Sequence, residues 1–249
     1  MTLIAISGHI GSGKDTVGRM MQYFTSPCSK EDSDRYRTFQ QFVENNGGSD
    51  PRYFDGHYYT EWEIMKFAGK LKEVASILTG IEVHKFEDQE FKKTNLGREW
   101  DTIESTPRYT EKGSYYTQKY VPMTVRELLQ KIGTECMRDC LHENVWINAL
   151  YAEYTQDMSG YSDRMSKEDM EELLPKWILT DCRFPNEAQS VKDRGGVVVR
   201  VERPGQVKGT HASETGLDDW SFDYVITNDG TMEDLLQKVK ALMEELNYL

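Results

Sequence analysis

Gly8-His9-Ile10-Gly11-Ser12-Gly13-Lys14 decides the reading of this chain. It fits the pattern G-x-x-x-x-G-K, and its flanks fit as well. Leu3-Ile-Ala-Ile-Ser7 is a short continuous apolar run that stops at Gly8, as a buried parallel strand does. Beyond the turn, Val17, Met20, Met21 and Phe24 recur at helical spacing. Strand, glycine loop and helix in that order turn backbone N–H groups inward around phosphate oxygens and aim the positive end of a helix at the same anion. Gly11, Ser12 and Gly13 are the expected cradle, and Lys14 brings a mobile charge to the β- and γ-phosphates. One position departs from the pattern. Asp15 stands where Ser or Thr is usual, and Thr16 follows. The hydroxyl–Mg²⁺ contact therefore passes to Thr16 or to waters, and Asp15 is left as a metal ligand through water, a cap, or an acid matched to the helix dipole.

A phosphate-binding loop sits oddly in an acidic protein. The 249 residues carry 30 Lys and Arg against 42 Asp and Glu, a net charge of −12. Such a balance excludes a broad binder of nucleic acid or anionic membrane, since both need an extended positive field. It permits a small phosphorylated ligand held by a local cluster of cations. Surface scaling predicts roughly 73% burial on folding, so the core needs no staples. The four cysteines, at 28, 136, 140 and 182, make no CxxC pair and read as free thiols of a reducing cytoplasm. Cys136 and Cys140 are expected to pack in a core rather than bind metal with His142. No apolar run approaches a membrane span, and Leu3–Ile6 is too short for a signal peptide. The expected protein is soluble, unprocessed and cytoplasmic.

Outward from the loop, the chain alternates strands and helices. Trp62–Phe67 is a candidate strand and Ala68–Thr79 a helix ended by Gly80. Thr124-Val-Arg-Glu127 is a capping box opening a helix, with Gly133 as its break. Trp146–Tyr154 reads as helix, Trp177–Asp181 as strand, Asn186–Arg194 as helix, and Val197–Val201 and Tyr224–Ile226 as strands. Thr231 to Asp234 opens a last helix with Leu235, Val239, Leu242 and Leu246 on one face. That alternation predicts an α/β fold: a phosphate-loop core with a parallel sheet of about five strands, covered by helices on both faces. Residues 25–60 and 84–122 are polar, lack a clean period and read as inserted lobes of one domain spanning 1–249.

Within phosphate-loop proteins, Asn-Lys-x-Asp is missing, and with it a guanine reader. Arginines are instead scattered at 126, 138, 183, 200 and 203. Phosphoryl transfer needs positioning and charge neutralisation from several directions, which scattered cations converging at one cleft supply.

The series of motifs resembles the bacteriophage deoxynucleoside monophosphate kinases. It runs from Gly8 to Asp15-Thr16 through Phe67-Ala-x-x-Leu-Lys72 and Phe86-Glu-Asp with Leu96-Gly-x-Glu-Trp100. It continues through Arg126-x-Leu-Leu-Gln130-x-x-Gly-Thr-Glu135, Trp146, Asp181-x-Arg183-Phe-x-Asn186-Glu187, Arg203-Pro-Gly205 with His211-x-Ser-Glu214, and Val225-Ile-x-Asn228-Asp-Gly230. The resemblance implies transfer of the γ-phosphate of ATP, with Mg²⁺, to a deoxynucleoside 5′-monophosphate. It also implies a helical acceptor-binding lobe and a lid near 203–220. On that basis Lys14, Arg183 and Arg203 are the catalytic candidates, and Asn228 joins the loop in holding ATP. Lys72 and Arg126 are candidates for the acceptor phosphate, and Gln130 for a base edge. Trp146 is either a stacking platform or a core residue. Asp181 is a candidate for the acceptor side, holding Mg²⁺ through water or orienting Arg183. The expected partners are small nucleotides, ATP and the monophosphate, with neither nucleic acid polymer nor membrane; a homodimer stays open. Two readings compete: a kinase of dephospho-coenzyme A or phosphomevalonate, and a nucleotide-sensing switch.

Overall fold

The computed structural model describes residues 2–26, 38–45, 62–156, 174–205 and 215–249. They divide into two compact units. One comprises Met1–Phe67 with Ile147–Leu249, the other Ala68–Trp146.

The first unit is built on β1 (Leu3–Ser7), β2 (Trp62–Met65), β5 (Lys176–Leu179), β6 (Val197–Glu202) and β7 (Tyr224–Thr227), all parallel, in the order β2-β5-β1-β6-β7. Period-2 alternation sends side chains to both faces, and each face is covered. Ile4, Ile6, Ile178, Val199 and Val201 pack with α1 (Lys14–Phe24) and α7 (Met232–Glu245) through Val17, Met20, Met21, Val239 and Met243. Leu3, Ala5, Trp177, Leu179 and Val198 pack on the opposite side with Ala188 and Val191 of α6 (Pro185–Lys192), and with Ile147, Leu150 and Tyr151 of α5 (Val145–Gln156). The five-stranded, doubly covered parallel sheet is the one expected from the sequence. Gly18 lets α1 lie close on β5, for a Cβ there would come within 2.5 Å of Thr180 Cγ2. A short α2 (Phe39–Asn45) lies within the polar stretch 25–60; residues 27–37 and 46–61 lie outside the described residues.

The second unit holds α3 (Gly69–Thr79), three short 3₁₀ turns, the strands β3 (Thr102–Thr110) and β4 (Gly113–Val121), and α4 (Val125–Gln130). Its core is Ala75, Phe86, Val125, Leu128, Ile132 and Trp146. The Thr124 hydroxyl accepts from the Glu127 N–H, and the Glu127 carboxylate accepts from the Thr124 N–H at 2.7 Å, the capping box read from sequence. Those bonds hold the Glu127 carboxyl below its usual range.

Two expectations are corrected here. Gly133 does not break the helix; α4 continues as a π-helical stretch, Lys131–Asp139. The glycine serves packing instead, since a Cβ at 133 would stand 3.1 Å from Leu71 Cδ2. Cys136 and Cys140 are exposed on that stretch rather than packed in a core, and only Cys182 among the described cysteines is buried. Burial pushes the Cys182 thiol well up, helped by the neighbouring Glu187 and Asp181 charges.

Residues 84–122, read as aperiodic, contain an antiparallel hairpin. Thr102 to Thr110 pair with Val121 to Gly113 around the two-residue turn Glu111-Lys112, and Gly113 takes φ +131°. Nearly every residue of both strands is exposed. Hydrophobic periodicity reports burial on one face, and this hairpin has no buried face to report.

Candidate active site

Every loop that carries a candidate of the first unit leaves the carboxyl end of a parallel strand, where open α/β sheets place ligands. After β1 the chain turns through Gly11 at φ +79° and Gly13 at φ +100°. The Ser12 N–H donates back to the His9 carbonyl at 3.1 Å, and α1 starts at Lys14. From the loop after β7, the Asn228 side-chain amide donates to the Ser12 carbonyl at 2.8 Å. That bond ties a carbonyl outward and so leaves the loop amides free to face an anion. Gly13 is needed twice over: its φ belongs to the left-handed region, and a Cβ there would lie 2.7 Å from Asn228 Nδ2. Gly13→Ala is therefore expected to cost about 1–3 kcal/mol in backbone strain and to weaken nucleotide binding beyond detection. Isothermal titration with ATP, beside a melting curve, checks both.

The turn borders a cavity of about 480 Å³, within the range that holds a nucleotide-sized ligand. Its walls include Gly11, Gly13, Lys14, Asp15, Thr16, Arg203 and Asn228, all singled out from sequence, together with Gly230, Thr231, Met232 and Leu235. Lys14 is 9% exposed, and its ammonium donates to the His9 carbonyl at 3.4 Å. Ser12 lies behind the wall, fully buried, with no hydrogen-bond partner for its hydroxyl among the described residues. Asp15 Oδ1 accepts from the Thr180 hydroxyl at 3.0 Å and lies 3.6 Å from the Lys66 ammonium, so the unusual acid is anchored to the ends of β5 and β2.

Met232 and Leu235 were not expected at the site. They lie on the first turn of α7, where an apolar i, i+3 pair reads as core unless the pocket above it is known. The helix is opened by a capping box in which Asp234 accepts from the Thr231 N–H at 2.8 Å, and this holds the Asp234 carboxyl below its ordinary value. A folded-state pKa that is lowered contributes stability above the unfolded value and loses it as pH falls through the folded one. Asp234→Asn is thus expected to melt below the wild type at neutral pH and to converge with it once the pH has fallen through the lowered carboxyl value, as melting curves across pH will show.

A second unexpected feature lies behind the loop. Arg200, one of the scattered arginines, is 6% exposed and does not line the cavity. Its guanidinium donates to Ser7 Oγ at 3.1 Å, His9 Nε2 at 2.8 Å and Asp218 Oδ1 at 3.2 Å. A guanidinium N–H only donates, so in the bond to His9 the imidazole Nε2 is the acceptor. The network braces the strand end and first turn from below.

Asp181 is 7% exposed, and its Oδ1 accepts from the Phe67 N–H at 2.8 Å, joining the ends of β5 and β2. Arg183 is half-buried, and its backbone N–H donates to Glu187 Oε2 at 2.8 Å. The lid candidate His211 lies outside the described residues. Among the described residues no three acidic, histidine or cysteine side chains cluster as a metal cage.

The remaining candidates belong to the second unit. Lys72 is buried and ion-paired with Glu87. Arg126 donates to Gln89 Oε1 at 3.1 Å, and Gln130 is exposed at the end of α4. Trp146 is 4% exposed in the core, with its indole N–H donating to the Gly133 carbonyl at 2.9 Å. Its ring lies in packing rather than at a surface. No described helix is long and apolar enough to cross a membrane.

Comparison with known proteins agrees with this geometry. A family model described as deoxynucleotide monophosphate kinase matches residues 2–239. The chain is similar to a deoxynucleotide monophosphate kinase of Enterobacteria phage T4, 31% identical over 125 residues, which is 49% of this chain and 46% of that protein. It resembles a putative deoxynucleotide monophosphate kinase of Acanthamoeba polyphaga mimivirus, 28% identical over 51% of this chain and 64% of the other. A deoxynucleoside-5′-monophosphate kinase of Escherichia phage T5 aligns at 22% identity over 86% of this chain and 84% of its own length. The match to the first two thus spans about half to two thirds of their length.

Proposed function

The chain belongs to the deoxynucleotide monophosphate kinase family, and from that premise we propose that it transfers the γ-phosphate of ATP to a deoxynucleoside 5′-monophosphate, yielding ADP and the diphosphate for DNA precursor synthesis. The observation that carries this reading is the cavity at the β1 turn, where glycine-shaped backbone and a buried lysine meet in a fold whose family model covers nearly the whole chain.

The residues divide the work. Loop amides from Gly11 to Lys14 and the Lys14 ammonium hold the ATP phosphates, and Asn228 keeps the Ser12 carbonyl out of their way. Met232 and Leu235 give the adenine an apolar wall. Arg203, on the same wall, and Arg183 neutralise charge on the group in transit. Lys72 and Arg126 take the acceptor phosphate, with the Lys72–Glu87 pair opening to admit it, and Gln130 reads a base edge through an amide that both donates and accepts. Asp181 positions the chain between β2 and α3, and Trp146 supports the second unit from its core. The segment 203–220 serves as lid, since transfer to the phosphate oxygen of the acceptor competes with transfer to water.

Mg²⁺ keeps most of its waters and takes few protein oxygens, so a site with Thr16 and Asp15 beside the phosphates fits it. When bound it neutralises charge on the phosphate oxygens. The protein is expected to act in a bacterial host cytoplasm on small nucleotides rather than on nucleic acid polymer.

A coupled ADP-release assay with ATP, Mg²⁺ and a panel of deoxynucleoside and nucleoside monophosphates tests the reading. Turnover on at least one deoxynucleotide is expected. Turnover only on dephospho-coenzyme A or phosphomevalonate would move the protein to another acceptor class.

A further inference from the structure

The turn that carries Asn228 is held from both sides by one lysine. Lys238 of α7 donates to the Thr227 carbonyl at 2.7 Å and to Asp229 Oδ1 at 2.6 Å, so its partners bracket Asn228 along the chain. The Asn228 N–H donates to the Glu202 carbonyl at 2.7 Å, which carries the β6–β7 pairing on to this residue. Fixed in this way, Asn228 presents its amide to the Ser12 carbonyl at 2.8 Å. The helix that bears the lysine is itself anchored. Leu235, Val239 and Met243 are buried with Val17, Met20 and Met21 of α1, and α1 begins at Lys14. The contacts therefore form a closed circuit. It runs from the phosphate loop through α1 to α7, from α7 through Lys238 to the turn, and through Asn228 back to the loop.

We infer that Lys238 and Asp229 are a positioning pair for nucleotide binding: they hold Asn228 so that the Ser12 carbonyl is turned away from the anion site before ATP arrives. The inference rests on the reading of the phosphate loop as an ATP site. The pair is a surface feature, with the Lys238 side chain 41% exposed and that of Asp229 50%. An ion pair so exposed adds little to stability. What it removes is freedom of the turn. A Ser12 carbonyl able to swing inward would oppose the phosphates, and ordering the loop at the moment of binding lowers affinity. The bond from Lys238, together with its charge, keeps the Asp229 carboxyl below its usual range, so the acid is ionised throughout the neutral range.

Isothermal titration of the full chain with ATP tests it as a double-mutant cycle. Lys238→Met is expected to weaken ATP binding about fivefold to tenfold, while its melting temperature moves by about 2 °C or less. Asn228→Ala should weaken binding at least as much. Adding Lys238→Met to Asn228→Ala should then weaken it no further, because the lysine acts through the asparagine. Lys240→Met removes the same charge from the same helix, at a residue paired with Glu244, and should leave ATP affinity unchanged. Circular dichroism confirms folding, and if Asn228→Ala is unfolded, the isosteric Asn228→Asp takes its place in the cycle. Additive losses overturn the inference, since they mean that Lys238 acts on ATP without Asn228. So does wild-type affinity in Lys238→Met, or an equal loss in Lys240→Met. A wild type that binds no ATP overturns the proposed function and this inference together, which separates the two failures.

Discussion

Replacing Lys14 by methionine is expected to lower turnover by about a thousandfold or more while the protein remains folded. Lys14 is 9% exposed on the wall of the cavity, beside Gly11, Gly13 and Asn228. Methionine keeps most of the buried volume of the lysine stem, so the melting temperature of Lys14→Met should stay close to the wild type's. Phosphoryl transfer asks for charge at the β/γ bridge as the bond breaks, and methionine offers the same length without charge or donor. Steady-state kinetics and a melting curve on one preparation separate the two effects. A variant with unimpaired turnover would remove the phosphate loop from the mechanism.

Arg200→Met is expected to cost about 2–3 kcal/mol of stability, or a fall of about 5–10 °C in melting temperature. The loss comes from what the guanidinium leaves behind. Ser7 Oγ loses the Arg200 donor, His9 Nε2 its 2.8 Å contact, and Asp218 an ion pair at 3.2 Å. Asp218 is one quarter exposed and is partly rehydrated, which keeps the cost below that of a fully buried charge. Because His9 belongs to the phosphate turn, ATP affinity should fall with stability. Differential scanning calorimetry with and without ATP reads both. An unchanged melting temperature would show that the network is ornamental.

Arg200 also shows where sequence reading stops. Its residue type suggested a phosphate ligand, and its place on a strand beside β1 turned it instead into a support for the loop; parallel pairing of Ser7 with Arg200 is a long-range fact that no local pattern carries. The sheet was legible for the opposite reason. Leu3–Ser7, Val197–Glu202 and the capping boxes at Thr124 and Thr231 encode their structure within a few residues. The loop side of the cavity was legible too, because glycine spacing is itself the geometry. Its far wall was not: Met232 and Leu235 read as one more amphipathic turn, and long-range contacts, the packing of α7 on α1 and the Asn228 bond to Ser12, set that turn beside the loop. The hairpin escaped notice because a strand pair exposed on both faces leaves no alternation of burial to detect.

The central claim is that a phosphoryl group passes from ATP to a deoxynucleoside monophosphate on this protein. A single-turnover reaction with ATP labelled at the γ-phosphate tests it most directly, with Mg²⁺ and each deoxynucleoside monophosphate in turn. The account predicts label at the β-position of a deoxynucleoside diphosphate. Label found only in inorganic phosphate, or left in ATP with every acceptor, would contradict it.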